Sequence, residues 1–275
     1  MALSSRSVTV EGTGSVEVGF SDTASRQLVL LLHGGAGPSS VASFADLLVA
    51  SARVIVPGHP GFGGTPRPAE LAGVGTLAGV YRQLIKELEP SDVCVMGNSF
   101  GGRIAAEMAI AESAAPERRV NSVALLDAAG LRLDAAPVPD VSGLAGLAPE
   151  QIAQLSYFRP ERYRIDPATM TDEQRVTRAA NLAAMATYGG SAMADPTLLD
   201  RLLAITIPVL VAWGEADHMI PVEHGRAYAA AIPGAKLALI RHAGHLPQLE
   251  APIELRSAIA ELVASPRQRP TEVQS

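Results

Sequence analysis

Residues 92–102 join the pattern of a buried strand to a sharp turn and then to a helix, in the order Asp92-Val-Cys-Val-Met-Gly-Asn-Ser-Phe-Gly-Gly102. The second half contains a G-x-S-x-G motif. A strand that turns this sharply into a helix crowds the backbone, so small Gly97 and Gly101 relieve clashes while the Ser99 hydroxyl projects outward. Ser99 is therefore the candidate nucleophile. Because the chain holds 25 glycines in 275 residues, the five-residue motif is not specific alone, and its context must decide.

Three other sites supply that context. Gly214-Glu-Ala-Asp217 follows the apolar run 207–213, and His242-Ala-Gly-His245 follows the run 236–240. The chain thus offers a nucleophile, then an acid, then a histidine. Upstream, the run 27–32 leads directly into His33-Gly-Gly-Ala-Gly37, a flexible turn whose backbone amides could face an anion.

With these four sites, the chain resembles the α/β-hydrolase superfamily from about residue 27 to about residue 263. The resemblance implies an α/β fold, with a mostly parallel eight-stranded sheet flanked by helices and an inserted, mainly helical cap. It implies a catalytic triad of Ser99, Asp217 and His245. It also implies an oxyanion hole at the backbone amides of Phe100 and Gly35, with Ala36 as the neighbouring possibility.

Two roles in this triad have competitors. Asp127 follows the predicted strand 123–126, and some superfamily members take their acid from that position, although it could simply cap the next turn. We favour Asp217, which follows the next-to-last strand. For the base, His242 is the main rival of His245. Three other histidines lie near the motifs. We interpret His33 as a loop-organising residue, His218 as a neighbour of the acid and His224 as a residue on a surface helix.

Composition and periodicity predict one α/β domain with an insertion. Apolar residues make up 48% of the chain, which is typical of a globular protein. Apolar runs of strand length alternate with helical patterns, as expected for a parallel sheet, and residues 8–10 and 16–20 predict an antiparallel pair at its edge. We predict a core of residues 1–130 and 196–264, a cap of 131–195 and a flexible tail of 265–275.

Five prolines break the predicted cap into short pieces before a helix over residues 171–188. Its apolar and aromatic side chains could cover a pocket between cap and core. The candidate pocket residues from cap and core are Ala36, Tyr157, Tyr163, Met185, Tyr188, Met219 and Leu246.

The sequence indicates no cofactor, metal or nucleic acid. The glycine-rich segment 58–64 lacks the Lys and Ser/Thr of a phosphate-binding P-loop, and no metal-ligand spacing stands out among the six histidines. A net charge of −6 without a basic block argues against nucleic-acid binding. The only cysteine, Cys94, lies in a strand pattern as a small buried residue.

The N-terminus and the hydropathy favour a cytoplasmic protein. Residues 1–6 lack the apolar region of a signal peptide, and no apolar stretch is long enough to cross a membrane. A homo-oligomer is possible but not indicated. We expect a small-molecule substrate as the only partner.

The identity of residue 99 restricts the reaction. Serine there reduces the resemblance to dehalogenases and epoxide hydrolases, which use aspartate, so hydrolysis of a small, apolar ester is the leading hypothesis. The alternative is a carbon–carbon hydrolase of ring-cleavage dienoates, which the elbow 97–102 also resembles. Against it, Leu246 stands where those relatives usually carry tryptophan, and their cap arginine is not identified. The cap candidates for it are Arg159, Arg162, Arg164, Arg175 and Arg178. A cofactor-free oxygenase or a non-catalytic receptor on the same fold remains open.

Overall fold

A computed structural model describes residues 4–10, 14–20, 27–90, 92–163 and 166–264. The strands are β1 (Ser4–Val10), β2 (Gly14–Phe20), β3 (Gln27–Leu32), β4 (Arg53–Pro57), β5 (Asp92–Asn98), β6 (Val120–Leu126), β7 (Val209–Gly214) and β8 (Lys236–Ile240). The helices are α1 (Ser39–Leu48), α2 (Val74–Leu88), α3 (Phe100–Ser113), α4 (Val141–Gly146), α5 (Pro149–Ser156), α6 (Pro160–Tyr163), α7 (Asp172–Gly189), α8 (Leu198–Arg201), α9 (Val222–Ala231), α10 (Pro247–Glu250) and α11 (Pro252–Ala264).

The strands form one sheet in the order β1-β2-β4-β3-β5-β6-β7-β8. The six strands from β3 to β8 pair in parallel, and β1 and β2 extend the edge as the predicted antiparallel pair. Strand β5 lies between β3 and β6, and every one of its residues is buried. Because parallel strands end at the same edge of the sheet, the loops after β3, β5, β6, β7 and β8 meet there.

Helices cover both faces of the sheet, which explains why its central strands are buried and mostly apolar. One core cluster joins residues of α2, α3 and α9 to one face of the sheet, and a second joins residues of α1 and α11 to the other. The alternation of strands and helices, and with it the α/β-hydrolase fold, is confirmed.

Within the described part of the chain, four α-helices lie between β6 and α8, in the segment where the sheet pattern lapses. Three are short, as the spacing of the prolines predicts, and α7 is the long one. Thr171 caps α7 by accepting a hydrogen bond from the Gln174 backbone N–H, while the Gln174 side chain accepts one from the Thr171 N–H. The predicted helix 171–188 therefore agrees with α7 to within one residue. The predicted tail, 265–275, lies outside the described residues.

Among the helices that the structure describes, none is long and apolar enough to cross a membrane.

Candidate active site

The turn at Ser99 has the strained geometry of a nucleophile elbow. Ser99 adopts φ 56° and ψ −116°, a conformation that L-residues rarely take, directly after β5 and before α3. A Cβ atom at Gly97 would overlap the Gly101 carbonyl group, and one at Gly101 would overlap the Leu32 carbonyl group. Both glycines are therefore required because the backbones of β5, α3 and β3 approach too closely for any side chain.

His245 and Asp217 form a buried hydrogen-bonded pair. The imidazole Nδ1 donates to Asp217 Oδ2 over 2.8 Å, with the two side chains only 9% and 0% exposed. The other carboxylate oxygen of Asp217 accepts the backbone N–H groups of Met219 and Ile220, at 2.8 and 2.9 Å. These bonds fix the carboxylate, which in turn fixes the imidazole tautomer with Nε2 free to accept a proton.

Asn98 connects the loop of His245 to the elbow. Its amide donates to the His245 carbonyl oxygen at 3.0 Å and accepts from the Gln248 side chain at 3.2 Å. The His245 backbone N–H donates to the Ser156 carbonyl oxygen at 2.8 Å, which ties the same loop to the end of α5. The histidine is thus held between the elbow and the end of α5.

The Ser99 side chain lies beneath the loop that follows β3. The side chain is half-buried, and within the described ranges its Oγ has no hydrogen-bond partner. A Cβ atom at Gly34 would lie 3.0 Å from the Ser99 Cβ, so this loop passes directly over Ser99. Hydrogen bonds between nucleophile and base are often long in a substrate-free enzyme and shorten when the substrate binds.

Two buried histidines organise that loop. His33 Nδ1 donates to the Gly34 carbonyl oxygen at 2.7 Å, and its Nε2 accepts the His59 backbone N–H at 3.3 Å. His59 Nε2 donates to the His33 carbonyl oxygen at 2.9 Å, and its Nδ1 accepts the Tyr81 hydroxyl at 2.5 Å. Burial lowers the pKa of His33 to about 4 and that of His59 well below its ordinary value. The predicted role of His33 as a loop-organising residue fits this network.

The predicted oxyanion donors lie on either side of Ser99. Phe100 is the first residue of α3, where a backbone N–H has no acceptor within the helix. Gly35 lies in the turn after β3, and its carbonyl oxygen accepts the Asn181 side chain of α7 at 3.1 Å. A Cβ atom at Gly35 would lie 2.8 Å from the Met185 sulfur. Helix α7 therefore packs over this loop.

Asp127, the rival acid, contacts the pair but does not bond the histidine. Its Oδ1 accepts the Gly214 backbone N–H at 2.9 Å, while its Oδ2 is buried without a partner among the described residues. Burial, and then the nearby Asp217 carboxylate, raise the pKa of Asp127 well above its ordinary value. A neutral Asp127 beside an ionised Asp217 explains how two buried carboxyl groups coexist.

The same three side chains are the group in the described residues that could hold a metal ion. Asp127, Asp217 and His245 each offer one ligand atom, all within 4.8 Å of one another. Both oxygens of Asp217 are already occupied, one by the imidazole and the other by two backbone N–H groups. The arrangement therefore fits proton transfer better than metal binding.

The candidate pocket residues separate into two groups. Met185 and Tyr188 of α7 lie above the loop after β3 and the elbow, where Tyr188 donates to the Pro60 carbonyl oxygen and packs 6.0 Å from the Phe100 ring. Tyr157 and Tyr163 instead stack on each other at 4.8 Å. Tyr163 also lines a cleft farther along the cap, together with Arg159, Arg162, His242 and Glu250.

The other three candidates differ in burial. Met219 and Leu246 are each 8% exposed and lie two residues after Asp217 and one residue after His245, whereas Ala36 is exposed.

The remaining histidines do not contact the Asp217 carboxylate. His242 and His218 are exposed. His224 lies on α9 beside exposed Glu223 and Arg226, as predicted for a surface helix, but its own side chain is only 1% exposed, and its Nε2 donates to the Ala136 carbonyl oxygen at 2.8 Å. The sequence pattern missed this because the segment after β6 covers that face of α9.

The predicted cap arginines differ in their surroundings. Arg159 and Arg162 are exposed in the Tyr163 cleft, and Arg175 is exposed and pairs with Asp172 at 2.8 Å. Arg178 is half-buried on α7, and Arg164 lies outside the described residues.

A different arginine, Arg103, is buried one turn after Ser99. Its Nε and Nη1 have no hydrogen-bond partner in the described part of the chain. Sequence reasoning missed Arg103, because it stands among small residues in an otherwise ordinary helix and carries little signal of its own.

Cys94 is fully buried in β5, as its sequence context predicts. Burial raises the pKa of its thiol to about 12, so the thiolate form is strongly disfavoured.

The fold and this site define a hydrolase of the α/β type. The chain belongs to the Alpha/beta hydrolase family, whose family model matches residues 29–258. It is 30% identical over 264 residues to a 2-hydroxy-6-oxononadienedioate/2-hydroxy-6-oxononatrienedioate hydrolase of Cupriavidus pinatubonensis, covering 90% of both chains. It is 26% identical to a 2-hydroxy-6-oxo-6-phenylhexa-2,4-dienoate hydrolase of Burkholderia cepacia, covering 87% of this chain and 88% of that one.

Among solved structures, a thermophilic esterase from Thermogutta terrifontis superposes with a TM-score of 0.71 at 25% identity. The match covers 94% of this chain and 98% of the esterase.

Proposed function

We propose that this protein is a carbon–carbon hydrolase that cleaves 2-hydroxy-6-oxo-dienoates. The observation that carries the proposal is the 30% identity to a hydrolase of this class over 90% of both chains, in a protein whose fold brings Ser99, His245 and Asp217 to one edge of the sheet. This reverses the order of the two hypotheses drawn from sequence, in which ester hydrolysis came first.

The proposed reaction breaks the bond between C5 and C6 of the substrate. Protonation of C5 and loss of the proton from the 2-hydroxyl group convert the dienol into a 2,6-diketone with a double bond between C3 and C4. The C6 carbonyl is then electrophilic. The electron pair released at C5 can delocalise through this double bond onto the C2 oxygen, so the carbon fragment becomes a stabilised leaving group.

The triad supplies the nucleophile for this step. Ser99 Oγ attacks C6 while His245 Nε2 accepts its proton, and Asp217 stabilises the resulting imidazolium. The backbone N–H groups of Phe100 and Gly35 would donate to the oxyanion on C6. When the C5–C6 bond breaks, the dienolate oxygen at C2 receives a proton from His245, and a 2-hydroxydienoate leaves.

Water completes the cycle. His245 removes a proton from water, which attacks the acyl group on Ser99 and releases the second carboxylic acid, and the imidazolium returns a proton to Ser99. No cofactor is needed, because the substrate itself accepts the electron pair of the broken bond.

A direct assay tests the proposal. With 2-hydroxy-6-oxonona-2,4-dienedioate, we expect loss of the dienol absorbance and formation of 2-hydroxypenta-2,4-dienoate and succinate in equal amounts by NMR. Ser99→Ala and His245→Ala should abolish turnover, while Ser257→Ala, an exposed serine on α11, should not change it. A folded wild-type protein that leaves this dienoate and its 6-phenyl analogue intact would refute the proposal.

Ester hydrolysis is the second candidate function. Two observations favour it: the similarity to the Thermogutta esterase, and Leu246 in place of the tryptophan usual in carbon–carbon hydrolases. Parallel assays with p-nitrophenyl acetate and butyrate distinguish the two. A kcat/KM higher for these esters than for the dienoates would reverse the order again.

A further inference from the structure

Asn181 is a buried polar residue on the face of α7 that packs against the core. The buried residues of this helix are Asn181, Ala184, Met185 and Tyr188. Asparagine is a weak helix former, and a buried amide needs hydrogen-bond partners. Asn181 is 3% exposed, and both ends of its amide bind groups outside α7. What the amide binds therefore explains a polar residue at this position.

The Asn181 amide bridges two loops of the core. Its Oδ1 accepts the Gly63 backbone N–H at 2.7 Å, and its Nδ2 donates to the Gly35 carbonyl oxygen at 3.1 Å. The first bond fixes the orientation of the amide, because a rotated amide would place its own N–H groups against the Gly63 N–H. The Nδ2 donor is therefore held facing the loop after β3.

The Gly35 carbonyl group belongs to the central peptide of a tight turn. The Gly37 N–H donates to the Gly34 carbonyl oxygen at 3.1 Å, which closes a β-turn over residues 34–37. Neither Gly35 nor Ala36 has a positive φ, as expected for a type I turn. Rotation of the central peptide by about 180° converts type I into type II and reverses the directions of its C=O and N–H groups.

Such a reversal would place an acceptor where the reaction needs donors. The turn lies between Ser99 and α7: a Cβ atom at Gly34 would lie 3.0 Å from the Ser99 Cβ, and one at Gly35 would lie 2.8 Å from the Met185 sulfur. Asn181 holds the Gly35 carbonyl oxygen on the α7 side. A reversed peptide would turn this oxygen toward Ser99, where its partial negative charge would oppose an oxyanion.

A second restraint on the same peptide comes from Ala36. A type II turn needs a positive φ at its third residue, which suits glycine and strains alanine. The third residue of this turn is Ala36. The Ala36 methyl group and the Asn181 amide therefore restrain one peptide by independent means.

We propose that Asn181 is a positioning residue for the oxyanion hole: from α7, it holds the Gly35 carbonyl oxygen away from Ser99, so that the turn presents N–H groups to the reacting carbonyl. This inference rests on the proposed function, because it requires an oxyanion formed by attack of Ser99. The oxyanion hole is then complete only when α7 is packed against the core.

Steady-state kinetics of Asn181→Leu test the proposal. Leucine has a similar volume and removes both hydrogen bonds of the amide. Because the restraint acts on the transition state, we expect kcat to fall about 10- to 100-fold, with KM within about 3-fold of wild type. Thr187→Val is the control on the same helix, since the Thr187 hydroxyl donates to the Ala183 carbonyl oxygen of α7 itself. It should retain the wild-type kcat.

A double-mutant cycle with Ala36→Gly tests the mechanism. Glycine at position 36 removes the second restraint, so Asn181→Leu should lower kcat about 10-fold more in Ala36→Gly than in the wild-type chain. Independent effects of the two substitutions would overturn the mechanism, because the two residues would then not restrain the same peptide.

The rate of Ser99 labelling by a fluorophosphonate separates this proposal from the proposed function. Ser99 Oγ displaces fluoride from phosphorus while negative charge builds on the phosphoryl oxygen, so labelling uses the oxyanion hole without a substrate. If wild type is labelled but cleaves no dienoate, the proposed function fails, and labelling at least about 10-fold slower in Asn181→Leu would still support the role of Asn181.

The remaining outcomes also decide. If wild type cleaves dienoates and folded Asn181→Leu matches it in kcat and labelling rate, the function stands and the role of Asn181 is overturned. A loss confined to KM would overturn that role too, because Asn181 would then serve ground-state binding. An unlabelled, inactive wild type would overturn both proposals. Circular dichroism establishes folding, and Asn181→Ala replaces Asn181→Leu if the leucine variant does not fold.

Discussion

His33 and His59 stack with their ring centroids 3.8 Å apart, and both imidazoles are held in the neutral form because burial lowers the pKa of each. Each ring uses one nitrogen as a donor and the other as an acceptor, in a chain of hydrogen bonds from Tyr81 to Gly34. Protonation of His33 would place its Nε2–H against the His59 backbone N–H, so that two donors would face each other. The loop over Ser99 therefore depends on two histidines that remain uncharged.

This pair predicts loss of stability in mild acid. The folded-state pKa of His33, about 4, lies below the unfolded value of 6.5, so the unfolded chain binds more protons between these limits. The free energy of unfolding is then fully maintained above pH 6.5 and falls as pH decreases toward 4, by on the order of 3 kcal/mol from His33 alone. Urea titrations at several pH values measure this slope.

A matched pair of variants assigns the slope to the buried ring. His33→Gln should be less stable than wild type at pH 7, but its stability should change less between pH 6.5 and 4. His218→Gln, which removes an exposed imidazole, should retain the wild-type slope. Identical slopes in wild type and His33→Gln would contradict the prediction.

Replacing Asp127 by asparagine should be tolerated. The amide oxygen can accept the Gly214 N–H, and the amide nitrogen can take the place of the proton on Oδ2. Burial raises the pKa of Asp127 in the folded protein. Wild type therefore loses stability as pH rises above the pKa that Asp127 has in the unfolded chain, whereas the variant does not. We expect the Tm of Asp127→Asn relative to wild type to increase from about pH 4 to about pH 8, and most of kcat to remain.

Asp217→Asn, unlike Asp127→Asn, should strongly lower the activity. Its amide cannot stabilise the imidazolium of His245, so we expect kcat to fall about 10⁴-fold with the fold intact. If Asp127→Asn is the more damaging of the two substitutions in kcat assays, then Asp127 and not Asp217 is the triad acid.

The backbone N–H of Gly35 can be tested without removing a side chain. Gly35→Pro deletes the donor, and we expect kcat to fall about 100- to 1,000-fold. Gly35→Ala keeps the N–H and displaces only the flexible end of Met185, so its kcat should be much closer to wild type. Equal activity of the two folded variants would exclude this donor.

The elbow glycines should be required for folding itself. A Cβ atom at Gly97 or Gly101 would overlap backbone atoms that cannot move without separating β3, β5 and α3. We therefore expect Gly97→Ala and Gly101→Ala to yield little soluble protein. Gly75→Ala is the control, because the space around Gly75 in α2 is open. Soluble, fully active Gly101→Ala protein would contradict the packing described for the elbow.

The sequence determined those features that depend on local periodicity and on the order of motifs. Apolar runs of strand length, helical spacing in α2 and the glycines around Ser99 were sufficient for the parallel sheet and the elbow. The order of Ser99, Asp217 and His245 was sufficient to nominate the acid and the base, since the carboxyl ends of parallel strands meet at one edge.

Only the tertiary structure decided how residues far apart in the chain share protons and charge. It placed His245 against Asp217 and left Asp127 as a buried neighbour, whereas sequence order had favoured Asp217 without showing which carboxylate the histidine contacts. It buried His224 beneath the segment after β6, and within the described residues it left Arg103 without partners for two of its nitrogens. These properties arise from desolvation and from competition among neighbouring hydrogen-bond partners, which depend on three-dimensional packing and have no local signature in the sequence.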